Sequence, residues 1–200
     1  AQIINVLYNM VDRMYIGHIP VIGATALTGV GVTFPIITLI TAFSSLIGMG
    51  GAARAAIFMG RQDNNMAEEI LGNCCAALVC ISVVLTTVIL FFCEPLLMAF
   101  GASADTIGYA TGYLRIYTAG TIFVQIVMGL NMFITSQGFA QVGMKTTIIG
   151  AVRYIVLDPV FIFLFDMGVQ GAALATIISQ AVSAVWVLVF LTGKKTILRI

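Results

Sequence analysis

Long apolar stretches, separated by short polar ones, follow one another along the whole chain. Six of them cover roughly residues 1–17, 24–52, 68–93, 107–136, 143–165 and 169–192. They are continuous and do not alternate between apolar and polar residues, so they predict helices and not the strands of a barrel. Because about 20 apolar residues span the hydrocarbon core of a bilayer, the stretches are candidate transmembrane helices.

Composition supports a membrane protein. Of the 200 residues, 60% are hydrophobic and only 8% are charged, whereas a soluble domain carries roughly a quarter charged residues. So few charges cannot cover a water-facing surface, and we therefore predict an all-α integral membrane protein with six transmembrane helices. The sequence contains no basic cluster or zinc-ligand spacing, so nucleic acid is not an expected partner. It also lacks a nucleophile–base set, so an enzyme is not expected.

The basic residues of the connections lie on one side of this arrangement. The second and fourth connections and the C-terminal tail carry Arg54, Arg61, Lys145, Lys194, Lys195 and Arg199. The other connections carry acidic residues and His18 instead. The positive-inside rule then predicts a multi-pass protein of the cell membrane with both termini in the cytoplasm. In the second connection, Asn65 followed by Glu68 predicts the N-cap of the third helix.

A polar face runs along the first apolar stretch and includes a carboxylate. Asn9 and Asp12 belong to a series of polar residues spaced three and four apart, which places them on one side of a helix. A carboxylate inside the membrane costs a few kcal/mol, so a charge, an ion or a proton must offset it. Pairing with Arg13 or with a distant cation is the alternative, although neighbours such as Asp12 and Arg13 point about 100° apart on a helix. Asp12 is therefore a candidate coupling site, and Asn9 is predicted to line a cavity.

A second carboxylate, Asp158, lies in the fifth stretch directly before Pro159 and one turn after Tyr154. Proline removes a backbone N–H and leaves a carbonyl oxygen free, so a kink is predicted there. A carboxylate beside a free carbonyl suits a proton or a hard cation such as Na⁺. The alternative is an ordinary kink with Asp158 hydrogen-bonded locally. Pro35, near the middle of the second stretch, predicts another kink.

Two further stretches carry polar residues at membrane depth. In the fourth, Gln125 and Asn131 are predicted to line a cavity, although packing hydrogen bonds explain them equally well. In the sixth, small residues spaced four apart predict a ridge for close helix packing. The ridge consists of Gly171, Ala175, Ser179 and Ser183. Thr176, next to it, can present a hydroxyl inward.

A series of short motifs gives the chain a family resemblance. The motifs are "YNMVD" (8–12), Gly17, "GVGVTFP" (29–35), "GMGG" (48–51), "EPLLMAFGAS" (94–103), "YLRIY" (113–117), "LDPVFIF" (157–163) and "GAALAT" (171–176). In this order and spacing the chain resembles the N-terminal half of a multidrug and toxic compound extrusion (MATE) transporter. The resemblance implies twelve helices in two six-helix lobes. Residues 1–200 would then be the N-terminal lobe, a fragment with a truncated first helix and without the C-terminal lobe.

The same resemblance implies a function. Such transporters export amphipathic, often cationic, drug-like compounds by antiport with H⁺ or Na⁺ through alternating access, without another cofactor. Their N-lobe cation site falls on Asp12, Asp158, Tyr154 and Thr176, with Tyr154 at a position where the family has asparagine. The implied partners are the substrates, the lipid bilayer and the C-terminal lobe. A lipid-linked flippase of the same superfamily and a non-transporting half-length membrane protein are the alternatives.

Overall fold

A computed structural model describes residues 14–19, 23–193 and 196–199. Within these residues all regular structure is helical, beginning with a short helical segment at residues 14–17. The longer helices are α1 (Gly23–Gly60), α2 (Asn64–Phe91), α3 (Cys93–Ala99), α4 (Ile107–Ala119), α5 (Thr121–Ser136), α6 (Ala140–Pro159) and α7 (Gly168–Leu191). A π-helical turn, Val160–Leu164, continues α6.

The described residues account for five of the six predicted spans. Helices α1, α2 and α7, and α6 with its π turn, are each long and apolar enough to cross a membrane. Helices α4 and α5 together form the fifth, bent by 57° at the break between them. The first predicted span lies mostly outside the described residues. The prediction of an all-α membrane bundle is confirmed.

The bend between α4 and α5 was not predicted, and its position has a packing reason. Gly120 separates the two helices, and a Cβ atom there would overlap the side chain of Ile177 on α7. A glycine at the break therefore lets α7 approach the backbone closely. The predicted fourth span, 107–136, is accordingly two helices in different directions.

Helix α1 extends eight residues beyond the predicted boundary at residue 52, since it passes through the "GMGG" segment without a break. Two of these glycines lie where α1 crosses α5. A Cβ on Gly48 would lie 2.7 Å from the carbonyl oxygen of Gly129, and one on Gly51 would lie 2.7 Å from the Phe133 ring. These glycines therefore allow close packing of α1 against α5.

The buried apolar side chains form two clusters, one toward the end of the bundle that holds Ile16 and Leu97, the other toward the end that holds Phe133 and Leu191. On the outside of the bundle, large apolar side chains such as Leu46, at 71% exposure, remain uncovered. An uncovered apolar exterior of this kind is what contact with lipid requires.

The connection between α1 and α2 is tighter than predicted, because α1 continues to Gly60. The N-cap of α2 is Asp63, whose carboxylate accepts a hydrogen bond from the Met66 N–H at 3.2 Å. The prediction of Asn65 as the cap is therefore wrong. Glu68 is not part of a capping box; it accepts a hydrogen bond from the Arg199 N–H at 3.1 Å.

One glutamine holds two residues of the segment after α7 against the bundle. The side-chain oxygen of Gln137, at the end of α5, accepts hydrogen bonds from the backbone N–H groups of Ile197 and Leu198, each at 3.0 Å. Leu198 is fully buried. Residues 196–199 therefore fold back against the same end of the bundle that carries the α1–α2 connection.

The predicted orientation can be tested with two single cysteines in a cysteine-free, full-length protein carrying this lobe. Asn64→Cys leaves the Asp63 cap intact, and Asp105→Cys lies in the exposed connection before α4. A membrane-impermeant maleimide added to intact cells should label Asp105→Cys and should label Asn64→Cys only after permeabilisation, because the basic connections are predicted to face the cytoplasm. The opposite pattern would invert the orientation.

Candidate functional site

A cavity of about 240 Å³ lies between α5, α6 and α7. Helix α1 contributes Ser45 to its wall. Its described wall also includes Val127, Met128, Asn131, Met132, Thr146, Thr147, Gly150, Ala151, Tyr154, Thr176, Ser179, Gln180 and Ser183. None of the wall residues that the structure describes is charged.

Two of the predicted coupling residues, Tyr154 and Thr176, meet at this cavity. Tyr154 is 5% exposed, so its ring is part of the packed wall. The hydroxyl of Thr176 donates a hydrogen bond to the Ala172 carbonyl at 2.9 Å, one turn back on its own helix. Because the Thr176 hydroxyl already donates its proton to Ala172, the Thr176 oxygen can only accept hydrogen bonds from a group in the cavity.

Asp158, another of the predicted coupling residues, is completely buried. It lies on α6 one turn beyond Tyr154, which corresponds to about 6 Å along a helix axis. Because residues four apart share a helix face, Asp158 follows Tyr154 on the buried side of α6. Arg153, next to Tyr154 in sequence, is exposed on another face of the helix.

The backbone changes its hydrogen-bonding pattern directly after Asp158. Helix α6 ends at Pro159 and continues as a π-helical turn, in which the Phe165 N–H donates to the Val160 carbonyl at 3.0 Å. Proline cannot donate the α-helical hydrogen bond, and single π turns are frequent at functional sites. Pro35, by contrast, lies inside α1, which is one helix on both sides of it.

The remaining predicted site residues are Asp12, Asn9, Asn131 and Gln125. Asp12 and Asn9 lie outside the described residues, so their place relative to Asp158 stays a prediction. Asn131 lies in the cavity wall, and its side-chain N–H₂ donates to the Gly143 carbonyl at 3.4 Å.

Gln125 lies away from this cavity, in the packing between α5 and α1. It is fully buried, and its side-chain N–H₂ donates to the Ile40 carbonyl at 3.0 Å. Ser44 returns a hydrogen bond from its hydroxyl to the Gln125 backbone carbonyl, also at 3.0 Å. Of the two explanations that fitted the sequence, the structure supports packing for Gln125.

Several polar wall residues were not singled out as site residues from the sequence. Ser179 and Ser183 were predicted only as part of a packing ridge; both are buried, and both also border the cavity. Thr147 and Tyr154 lie seven residues apart on α6, as Thr176 and Ser183 do on α7. That two-turn spacing of polar residues on neighbouring helices was the available signal for a shared polar cavity.

Comparison with known proteins establishes the family. The family model described as MatE matches residues 1–160. The chain is 24% identical over 198 residues to the multidrug export protein MepA of Staphylococcus saprophyticus, covering 99% of this chain and 44% of that protein. It is 23% identical over 190 residues to MepA of Staphylococcus aureus strain NCTC 8325, covering 95% of this chain and 42% of that protein.

Solved structures agree with the sequence relatives. An outward-facing multidrug resistance MATE family transporter superimposes with a TM-score of 0.92 and 26% identity, covering 100% of this chain and 44% of the other. An inward-facing structure described in the same terms gives a TM-score of 0.90 and 27% identity, covering 96% and 43%.

The chain therefore belongs to the MatE family, whose members are transporters and not enzymes. It has the fold of the N-terminal lobe of these proteins. The described chain spans less than half the length of the relatives that it matches.

Proposed function

We propose that this chain is the N-terminal lobe of a secondary active multidrug exporter. In the whole protein, this lobe and a C-terminal lobe move amphipathic or cationic compounds out of the cell by ion antiport and alternating access. The observation that carries the proposal is the fully buried carboxylate of Asp158, which stands between the cavity-lining Tyr154 and the π turn after Pro159.

The coupling follows from the cost of a buried charge. A carboxylate away from water is stable only with a proton, a cation or a matched partner, so ion binding at Asp158 changes the free energy of one conformation relative to the other. Substrate favours the opposite conformation, and the difference between these two preferences is the coupling free energy. Asp12, which lies outside the described residues, is proposed to share this ion, because the polar face predicted from the sequence would place a second carboxylate at membrane depth.

Protons are proposed as the coupling ion. A sodium site needs several oxygen ligands close together, and Tyr154 offers only a phenol where an asparagine would offer a carbonyl. A single carboxylate in a poorly hydrated place can take up one proton without further ligands. Thr176, with its proton committed to Ala172, can still accept a hydrogen bond.

The test is dye efflux from proteoliposomes that contain the full-length protein carrying this lobe. A pH gradient without sodium should drive efflux of a cationic fluorescent dye, and a sodium gradient at equal pH should add little. Tyr154→Asn should increase the response to sodium, because it introduces a carbonyl ligand. Tyr154→Phe is the matched control, since it removes the hydroxyl without adding a ligand. Efflux driven by sodium alone would contradict proton coupling.

A lipid-linked flippase is the competing function within the same superfamily. Its pyrophosphate-bearing substrate would require basic residues around the transport cavity, since phosphate oxygens are bound through charge-assisted hydrogen bonds. The described wall of the cavity next to Tyr154 holds no basic side chain, which favours the exporter. Because the basic connections predict cytoplasmic termini, the exporter is proposed to reside in the cell membrane in that orientation.

A further inference from the structure

An open cleft of about 520 Å³ lies between α3, α4 and the beginning of α7. Among its described wall residues, Glu94 on α3 and Arg115 on α4 carry charge, and Gln170 comes from α7. Helix α4 also contributes Gly108 and Gly112. A Cβ atom at Gly112 would lie 3.1 Å from the Gln170 side-chain nitrogen, so a side chain there would narrow the cleft. The volume is within the range of about 300–1,000 Å³ that small-molecule sites have.

The cleft presents a positive and a negative side chain next to each other. Nη2 of Arg115 lies 3.6 Å from Oε1 of Glu94, and the two side chains are 58% and 65% exposed. A guanidinium has five N–H donors and a carboxylate has two oxygens, so this single contact leaves hydrogen-bonding capacity on both groups. Since an exposed ion pair contributes little to stability by itself, the pair is available to a ligand.

The length of α2 places this pair at the level of the lipid headgroups. Glu69 is the last charged residue before the apolar part of α2, and Phe91 ends that helix. The two are about 33 Å apart along the helix axis at 1.5 Å per residue. Because the hydrocarbon core of a bilayer is about 30 Å thick, Glu94, just beyond Phe91, falls in a headgroup layer. The basic connections predict that this is the outer layer.

Large exposed apolar side chains flank Glu94 along the chain. Phe91 is 82% exposed, and Phe92, Met98 and Phe100 are each about half exposed. The rings of Phe91 and Phe92 pack edge to face, with their centroids 5.4 Å apart. Uncovered apolar side chains grouped in this way are suited to contact with acyl chains. A lipid can therefore place its chains on these side chains while its headgroup reaches the ion pair.

We propose that the cleft of Glu94 and Arg115 binds the headgroup of a zwitterionic phospholipid that carries a primary ammonium, as phosphatidylethanolamine does. The lipid phosphate accepts hydrogen bonds from the Arg115 guanidinium, and the ammonium donates to the Glu94 carboxylate. The two charges of the described wall cancel, which matches a headgroup whose own charges cancel. An anionic headgroup would instead bring a second negative charge next to Glu94, without a cation to offset it.

Native mass spectrometry of the full-length protein carrying this lobe measures the binding. The protein in detergent is titrated separately with phosphatidylethanolamine, phosphatidylcholine and phosphatidylglycerol of identical acyl chains. It should bind phosphatidylethanolamine roughly 10-fold more tightly than phosphatidylglycerol, and more tightly than phosphatidylcholine, whose quaternary ammonium has no N–H to donate. Soluble phosphoethanolamine tests the source of the headgroup. If it displaces phosphatidylethanolamine at equal concentration, the occupant is a soluble ligand and the lipid assignment is wrong.

Two charge-removing substitutions assign the preference to this cleft. Glu94→Gln removes the partner of the ammonium and the repulsion of an anionic headgroup, so the preference for phosphatidylethanolamine over phosphatidylglycerol should fall about 10-fold, to near equality. Arg115→Gln removes the partner of the phosphate and should weaken phosphatidylethanolamine binding by about 10-fold. Arg61→Gln is the matched control, since Arg61 is an exposed arginine of the α1–α2 connection. It should leave the affinities for both lipids unchanged.

Gly108→Leu tests the cleft without changing a charge. A Cβ at Gly108 meets nothing within 4 Å, so the leucine side chain enters open space in the cleft and need not displace the backbone. It should weaken phosphatidylethanolamine binding by about 10-fold, because it occupies the place of the headgroup. Gly72→Leu on α2 is the size-matched control, since a Cβ there also meets nothing within 4 Å.

The outcomes are independent of the proposed function, because lipid binding is measured without an ion gradient or a drug. Equal binding of phosphatidylethanolamine and phosphatidylglycerol by the unsubstituted protein overturns the proposal. So does an unchanged preference in Glu94→Gln, or unchanged phosphatidylethanolamine binding in Gly108→Leu. Loss of the preference in the first variant and of binding in the second, with both controls unaffected, supports it.

Discussion

Replacement of Asp158 by asparagine is expected to abolish proton-coupled efflux in the full-length protein while leaving folding and membrane insertion intact. Asparagine has nearly the same volume but cannot gain or lose a proton. A ligand with equal affinity for two conformations shifts neither, so a site that no longer titrates cannot transmit the gradient. One pH unit of gradient supplies about 1.4 kcal/mol per proton, so loss of coupling should remove roughly a tenfold accumulation for each pH unit imposed.

Asp166→Asn is the matched control for this prediction. Asp166 is exposed in the connection before α7, with a backbone φ of 52°, a left-handed conformation that asparagine also tolerates. The control makes the same chemical change outside the bundle and should retain coupled efflux. Dye efflux under an imposed pH gradient measures both variants at equal protein content. Near-normal coupling in Asp158→Asn would reject the role of this carboxylate.

Gly48→Leu is expected to disrupt the lobe itself. A Cβ at this position would lie 2.7 Å from the Gly129 oxygen and 2.8 Å from its Cα, both of which are backbone atoms that cannot rotate away. The helices α1 and α5 must therefore separate, which also opens the Gln125–Ile40 hydrogen bond. We expect a destabilisation of roughly 3 kcal/mol or more, at the upper end of what overpacked cores show.

Gly50→Leu provides the comparison, because a Cβ at Gly50 meets nothing within 4 Å and points away from the crossing. It adds the same side chain two residues away and should be neutral or slightly stabilising, since leucine is a better helix former than glycine. Thermal unfolding in detergent, followed by size-exclusion chromatography, measures both. Equal melting temperatures for the two variants would show that the crossing is not tightly packed.

The number and type of helices could be predicted because they depend on local properties of the sequence. Continuous apolar stretches of sufficient length allow little except membrane helices. The break at Gly120 could not be predicted, since it depends on the approach of Ile177 from a helix more than fifty residues away. Similarly, the predicted end of the second stretch at residue 52 was too early, since α1 continues through the glycines at 48–51, which serve a crossing with α5.

The same distinction applies to the candidate site. Asp158 could be predicted as a site residue from the sequence alone, since a carboxylate before proline in an apolar helix is unusual and energetically costly. Gln125 and Asn131 are both polar residues of one apolar stretch, and periodicity could not decide which of them faces a cavity. That choice depends on partners in other helices: Ile40 for Gln125 and Gly143 for Asn131.

The fixed segment after α7 has a mechanical consequence. A force applied at residue 199 does not act on the last turn of α7 alone, because Gln137 holds Ile197 and Leu198 while Glu68 holds the Arg199 N–H. The force is distributed over α2, α5 and α7, three separate helices of the bundle. A pull at this end therefore acts on several helices of the lobe at once and not on α7 alone.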